Sequence, residues 1–227
     1  MRQLEIKRNE IGYTGSMAYP MLDFLQHLNA PAKALLEAFE PFGFGLESMQ
    51  LLTASQAVSQ QAILFNFGWQ GTYTFKLDRV EATFWDLDES ALQRSFEVLL
   101  AADRSLRKHA QGFQIKRHQL VYSAHGLVQP GHAGEILGSF VTPQPKAGGV
   151  SAGTGVIFHW DVPDKKWITQ LTLDRSMAFK DGLFLLLSIE SSADNMNLPM
   201  ALVEGRQYLS SILRELGLEL AGERASQ

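Results

Sequence analysis

Residues 80–85, Val-Glu-Ala-Thr-Phe-Trp, alternate apolar and polar side chains with the period of two that a half-buried strand requires. Within a few residues the period changes. From 89 to 109, Leu92, Phe96, Leu99 and Leu106 recur on one helical stripe, Asp86 or Asp88 stands where an N-cap belongs, and Arg104, Arg107 and Lys108 collect near the end, where a helix dipole favours cations. A one-faced strand and a one-striped helix bury their apolar sides against each other, which predicts an α+β fold. The change of period happens again further on. Residues 156–162 alternate, Val162-Pro163-Asp164 makes a turn, 167–173 returns, 183–189 reads as a central strand, and a helix to about 216 carries Leu202, Gly205, Leu209, Ile212 and Leu216 on one stripe.

The two blocks share more than their order of strands and helix. FKLDRVEATF at 75–84 and LTLDRSMAF at 171–179 both contain Leu-Asp-Arg, as Leu77-Asp78-Arg79 and Leu173-Asp174-Arg175. Phe67-Gly68-Trp69 precedes the first and Phe158-His159-Trp160 the second. We therefore expect duplicated units, each an antiparallel β-meander plus a helix, with a curved sheet packed against long helices. The expected segments are a helical N-terminal part at 1–45, a first repeat at 46–142, a linker rich in proline and glycine at 143–155, and a second repeat at 156–227. Within them, 21–39 reads as two short helices broken near Pro31, and 49–53, 62–68 and 72–77 as strands. Residues 113–128 read as a strand pair or one long strand, and a short helix is expected within 130–140.

A chain of 227 residues buries roughly 70% of its unfolded surface and needs no disulfide or metal to fold. It has no cysteine, which removes thiol nucleophiles, thiolate zinc sites and iron–sulfur clusters. A formal charge of −4 without a basic stripe argues against nucleic acid as a partner. The charged start lacks the apolar run of a secretory signal, and the apolar stretch at 183–187 is too short to cross a bilayer, so a cytoplasmic protein without membrane attachment is expected. No cofactor is expected.

Catalytic motifs are absent. The glycines at 148, 149, 153 and 155 lack the Gly-Lys-Ser/Thr ending of a phosphate loop and lead into a strand. His118, His125 and His132 are seven apart, a spacing that places successive members on opposite faces of a strand. His159 and Asp161 share a face and with His125 would make the smallest metal-binding set, the basis of a hydrolase as the third choice. Asp103 interrupts an apolar stripe, so it either finds a cation in the core or pairs with Arg107 one turn on. After an apolar residue at a strand end, Asp and Arg serve a turn; alternatively Arg79 and Arg175 bind anions, which requires both guanidinium groups to face an open cleft.

Leu77-Asp78-Arg79, Phe84-Trp85, the helix around Phe96 and the strand containing Val121-Tyr122 together resemble a sporadically distributed family of bacterial proteins of unknown function, over residues 45–215. The resemblance implies strands that run antiparallel and brings no established activity. The leading expectation is a bacterial, non-enzymatic binding protein, an accessory or immunity-like factor whose partner is another protein. The alternative is a carrier or sensor of a small apolar molecule, with a pocket lined by Phe67, Phe84, Phe96 and Trp160. An antiparallel edge strand leaves a homodimer open.

Overall fold

The computed structural model describes residues 1–21, 29–52, 61–140, 155–192 and 198–221. The first helix expected within 21–39, the linker at 143–154 and the capping segment at 194–197 lie outside the described residues, as does the side chain of Trp69. The fold is α+β. The strands are β1 (Arg2–Met17), β2 (Met49–Leu52), β3 (Ala62–Asn66), β4 (Gly71–Lys76), β5 (Arg79–Trp85), β6 (Ile115–Gln129), β7 (Val156–Val162), β8 (Trp167–Arg175), β9 (Leu183–Ser192) and β10 (Leu218–Leu220). The helices are α1 (Asn29–Phe39), α2 (Glu89–His109), α3 (Ala133–Phe140) and α4 (Leu198–Glu215). Strands pair in the order β2-β3-β4-β5-β1-β6-β9-β8-β7, with β10 beside β1. A long strand, a short helix, an antiparallel meander and a long helix therefore follow one another from β1 to α2, with four strands in the meander, and again from β6 to α4, with three.

The segment 1–45, expected to be helical, instead opens with the 16-residue strand β1, and its described helix is confined to Asn29–Phe39. The cause is visible in the burial pattern. Only Leu4 is buried in the first half of β1, among charged neighbours, and clean alternation starts at Ile11 and runs through Tyr13, Gly15 and Met17. Helix α2 has the bounds its stripe predicted, and Asp88 caps it by accepting from the Ala91 N–H at 2.8 Å.

The chain divides into two compact units. The larger contains Ile11–Leu120 with Glu190–Leu202. Its core is aromatic. Phe39, at the end of α1, meets Phe65, Phe67 and Tyr73 edge-on with centroids 4.8, 5.2 and 5.3 Å apart, the geometry that ring quadrupoles favour. These strand residues face inward because the β3–β4 register sets Phe65 opposite Tyr73 and Ile63 opposite Phe75. Gly71, where β4 leaves its turn, is irreplaceable: at φ 154° a Cβ there would lie 2.2 Å from the Thr83 carbonyl oxygen.

One polar pair sits in this core. The Tyr13 hydroxyl and His118 Nδ1 are 2.9 Å apart, and the His118 side chain is 2% exposed. Burial pushes the His118 imidazole down to about 4, an effect that outweighs the opposing pull of Asp103, while Arg107 adds to it. Asp103 takes the surface solution, pairing with Arg107 Nε at 2.8 Å on the next turn of α2. The other unit contains Met1–Glu10, Val121–Ile189 and Val203–Gln227. There α4 approaches the sheet at Gly205, where a Cβ would stand 2.9 Å from the Tyr122 hydroxyl and 3.2 Å from Ile189 Cδ1.

The His118 shift fixes a pH dependence. In the unfolded chain this imidazole takes up a proton near pH 6.5, whereas in the folded protein it stays neutral until about 4, so stability falls as pH drops through that window. We expect about 2 kcal/mol to be lost between pH 7 and pH 5 in urea titrations, and the loss to shrink in the Tyr13→Phe, His118→Phe double variant. An undiminished slope in that variant would assign the effect to other groups.

Candidate functional site

The six residues singled out by sequence do not converge. Phe67 and Phe84 are stacked in the larger unit with centroids 5.9 Å apart and rings 3° from parallel, and both are 3% exposed. They line a cavity of about 20 Å³ with Phe44, Leu87 and Arg94, which is room for one water. Phe96 is buried under the same helix and does not line that cavity. These three phenylalanines are core. Arg79 is spoken for: its Nη1 pairs with Asp78 at 3.0 Å and its Nε with Glu81, which also binds Lys76. The hydrogen bond that Arg79 Nε donates to Glu81, then the attraction of both carboxylates, holds the guanidinium above its usual pKa.

Trp160 and Arg175 belong to the other unit and stand at two different openings. Along β8 the inward residues Trp167, Thr169, Leu171 and Leu173 are all buried, while along β7 the inward residues Phe158, Trp160 and Val162 are only half covered. The register pairs Phe158 with Leu171 and Trp160 with Thr169, so burial ends one strand short of the sheet edge. Helix α4 completes a groove of about 290 Å³ lined by Phe158, Trp160, Leu171, Tyr208, Ile212 and Leu216. The Trp160 indole N–H donates to the Tyr208 hydroxyl, whose ring also meets Trp167 edge-on at 5.8 Å. Lys165, at the turn between β7 and β8, pairs with Glu204 and lies 4.8 Å over the Trp167 ring. Tyr208 escaped sequence reasoning, although it stands next to Leu209 on the predicted stripe. Only the third dimension brings it to Trp160.

Arg175 ends β8 and leads into a loop closed at its base by the Ser176 N–H on the Gly182 carbonyl at 2.8 Å. The Ser176 Oγ accepts the N–H groups of Ala178 at 3.1 Å and Phe179 at 3.0 Å, and lies 2.9 Å from His125 Nδ1. A serine beside a histidine invites comparison with a nucleophile and its base. Here both Oγ lone pairs hold backbone amides, so the hydroxyl proton points to His125 Nδ1 and the side chain acts as a staple of the loop. Burial, then the charge of Arg8, holds the His125 imidazole below its usual pKa, which suits that acceptor role. His159 and Asp161 lie on the exposed face of β7. No group of three or more potential metal ligands occurs among the described residues.

Comparison with known proteins finds no family that matches this chain, and no curated protein matches it. Among the described residues, no helix is long and apolar enough to cross a membrane.

The division between core and surface aromatics is measurable. Phe67→Ala should cost about 3–5 kcal/mol in denaturant titrations, as a large ring removed from a packed core does. Trp160→Ala, at a half-covered edge, should cost less than about 2 kcal/mol. Equal losses would mean that the groove is part of the core.

Proposed function

We propose that this protein is a non-enzymatic interaction module that takes up an extended segment of a partner protein along β7. The observation that carries the proposal is the mismatch between β8 and β7: seven residues of edge strand, with no strand on their outer side among the described residues, run beside inward aromatic side chains that their own unit half covers. An added strand satisfies both deficits. Its backbone pairs with the free amides and carbonyls of β7, and its alternate apolar side chains fill the groove against Trp160 and Tyr208. Trp and Tyr are the residue types that dominate interface energetics. Edge strand β2 is a weaker candidate, being four residues long, although Leu51 and Leu52 are exposed there.

An open groove at the lower end of ligand-pocket volumes also supports the alternative, a carrier of a small apolar molecule, at Trp160 rather than at Phe67 and Phe84. The same proposal takes the chain as two copies of one module. It draws on the similar element order and on Leu-Asp-Arg standing in both copies where the last-but-one strand of the meander gives way to the last.

Selection from a displayed random-peptide library decides between the two. Bound peptides should alternate apolar residues at period two, quench or shift tryptophan emission, and lose at least tenfold in affinity against Trp160→Ala. Methylation of alternate peptide amides should abolish binding. Peptides without that period, or with affinity indifferent to amide methylation, would refute strand addition. Saturable uptake of an apolar fluorescent probe abolished by Trp160→Ala, with no peptide selected, would establish the carrier. A shift to dimer that disappears in Trp160→Ala would make a second copy the partner.

A further inference from the structure

The two Leu-Asp-Arg sequences end in opposite electrostatic states. In the first, Arg79 is neutralised by Asp78 and Glu81. In the second, the Asp174 carboxylate accepts the N–H of Arg175 itself at 2.7 Å, and the Arg175 guanidinium makes no ion pair or hydrogen bond among the described residues. That guanidinium reaches toward Gly134, where a Cβ would lie 3.2 Å from Nη2, so the missing side chain leaves room for it. It lines a cavity of about 250 Å³ together with Lys180, His132, Ser176 and Asp181. Lys180 also makes no ion pair among the described residues. His132 is held 3.4 Å from Glu135, which Arg2 also pairs at 3.2 Å, so that carboxylate is already shared between two bases. Asp181 is the one acid in the lining.

We propose that this cavity binds a compact oxyanion, a phosphate or carboxylate group carried on a small molecule, with Arg175 as the bidentate ligand and Lys180 as the second charge. A planar guanidinium presents paired N–H donors matched to two oxygens of such a group, and an ammonium beside it adds charge without fixed geometry. The loop that carries Lys180, directly after Arg175 at the end of β8, is ordered in advance. Ser176 N–H binds the Gly182 carbonyl, Ser176 Oγ takes two further amides, and His125 holds the hydroxyl, so binding does not have to order the backbone. The helix behind it contributes little, because the Ala133 and Glu135 amides already donate to the Asp181 and His132 carbonyls. The site is thus built from side chains on a clamped loop, and is distinct from the groove at Trp160.

Inorganic phosphate and acetate, titrated separately at constant ionic strength with chloride as the balancing anion, test this by NMR of the backbone amides and the Arg175 Nε–H. Saturable shifts confined to residues 176–182, Gly134 and Arg175 are expected with at least one of the two anions, and which one saturates identifies the ligand chemistry. Arg175→Ala should weaken that binding at least tenfold, Lys180→Ala severalfold, and Arg79→Ala not at all. Shifts that grow linearly and equally with chloride, or undiminished binding to Arg175→Ala with native spectra elsewhere, would overturn the proposal.

Discussion

Apolar side chains alternate along the strands, and helices cover only the face to which they point; the rest of the molecule depends on that one-sided burial. In the larger unit Phe39 meets three inward aromatic rings, and the cavity beside Phe67 and Phe84 holds no more than a water. In the other unit α4 settles close to the sheet at Gly205, and its coverage runs out between β8 and β7. The aromatic groove lies where that coverage runs out, between α4 and the inward side chains of β7.

Much of this was legible in the sequence. The stripe from Leu92 to Leu106 and a cap at Asp86 or Asp88 marked α2, because amphipathic period and capping chemistry are local, and the structure selects Asp88. The hairpin β7–β8 followed from alternation around Val162-Pro163. Strand β1 did not show, since Lys7, Arg8 and Glu10 break its first half and Gly15 occupies an inward position where the pattern calls for a large residue. A Cβ at Gly15 would meet the Tyr13 hydroxyl at 2.6 Å, a reason for glycine that no local pattern displays. The three-residue β10 is too short to carry any period.

The candidate site was less legible, and for a different reason. Phe67, Phe84, Phe96 and Trp160 are equivalent to a composition-based eye, yet three sit in the core and one at a half-covered edge. What separates them is whether a helix lies above, which is a tertiary fact. Likewise Arg79 and Arg175 occupy matching places in matching tripeptides. The difference arises because Glu81 faces Arg79 across two residues of strand, whereas the chain after Arg175 turns away into a loop whose serine binds its own backbone. Local sequence supplies the charges; the geometry of the next few residues decides whether they are spent on each other.

The pairing of β10 with β1 bears on how the molecule comes into being. Gln3 donates to Glu219 across 216 positions, and Arg2, Gln3 and Leu4 lie opposite Leu218, Glu219 and Leu220. On a ribosome the earlier of these two strands waits for the later one for on the order of 10–40 s. Throughout that interval the stretch of β1 that later takes β10, Arg2 to Leu4, is an unfilled seat beside nascent polypeptide. The run of Glu5, Lys7, Arg8 and Glu10 next to it, which hid β1 from pattern recognition, is the kind of charged flank that blunts an open strand edge.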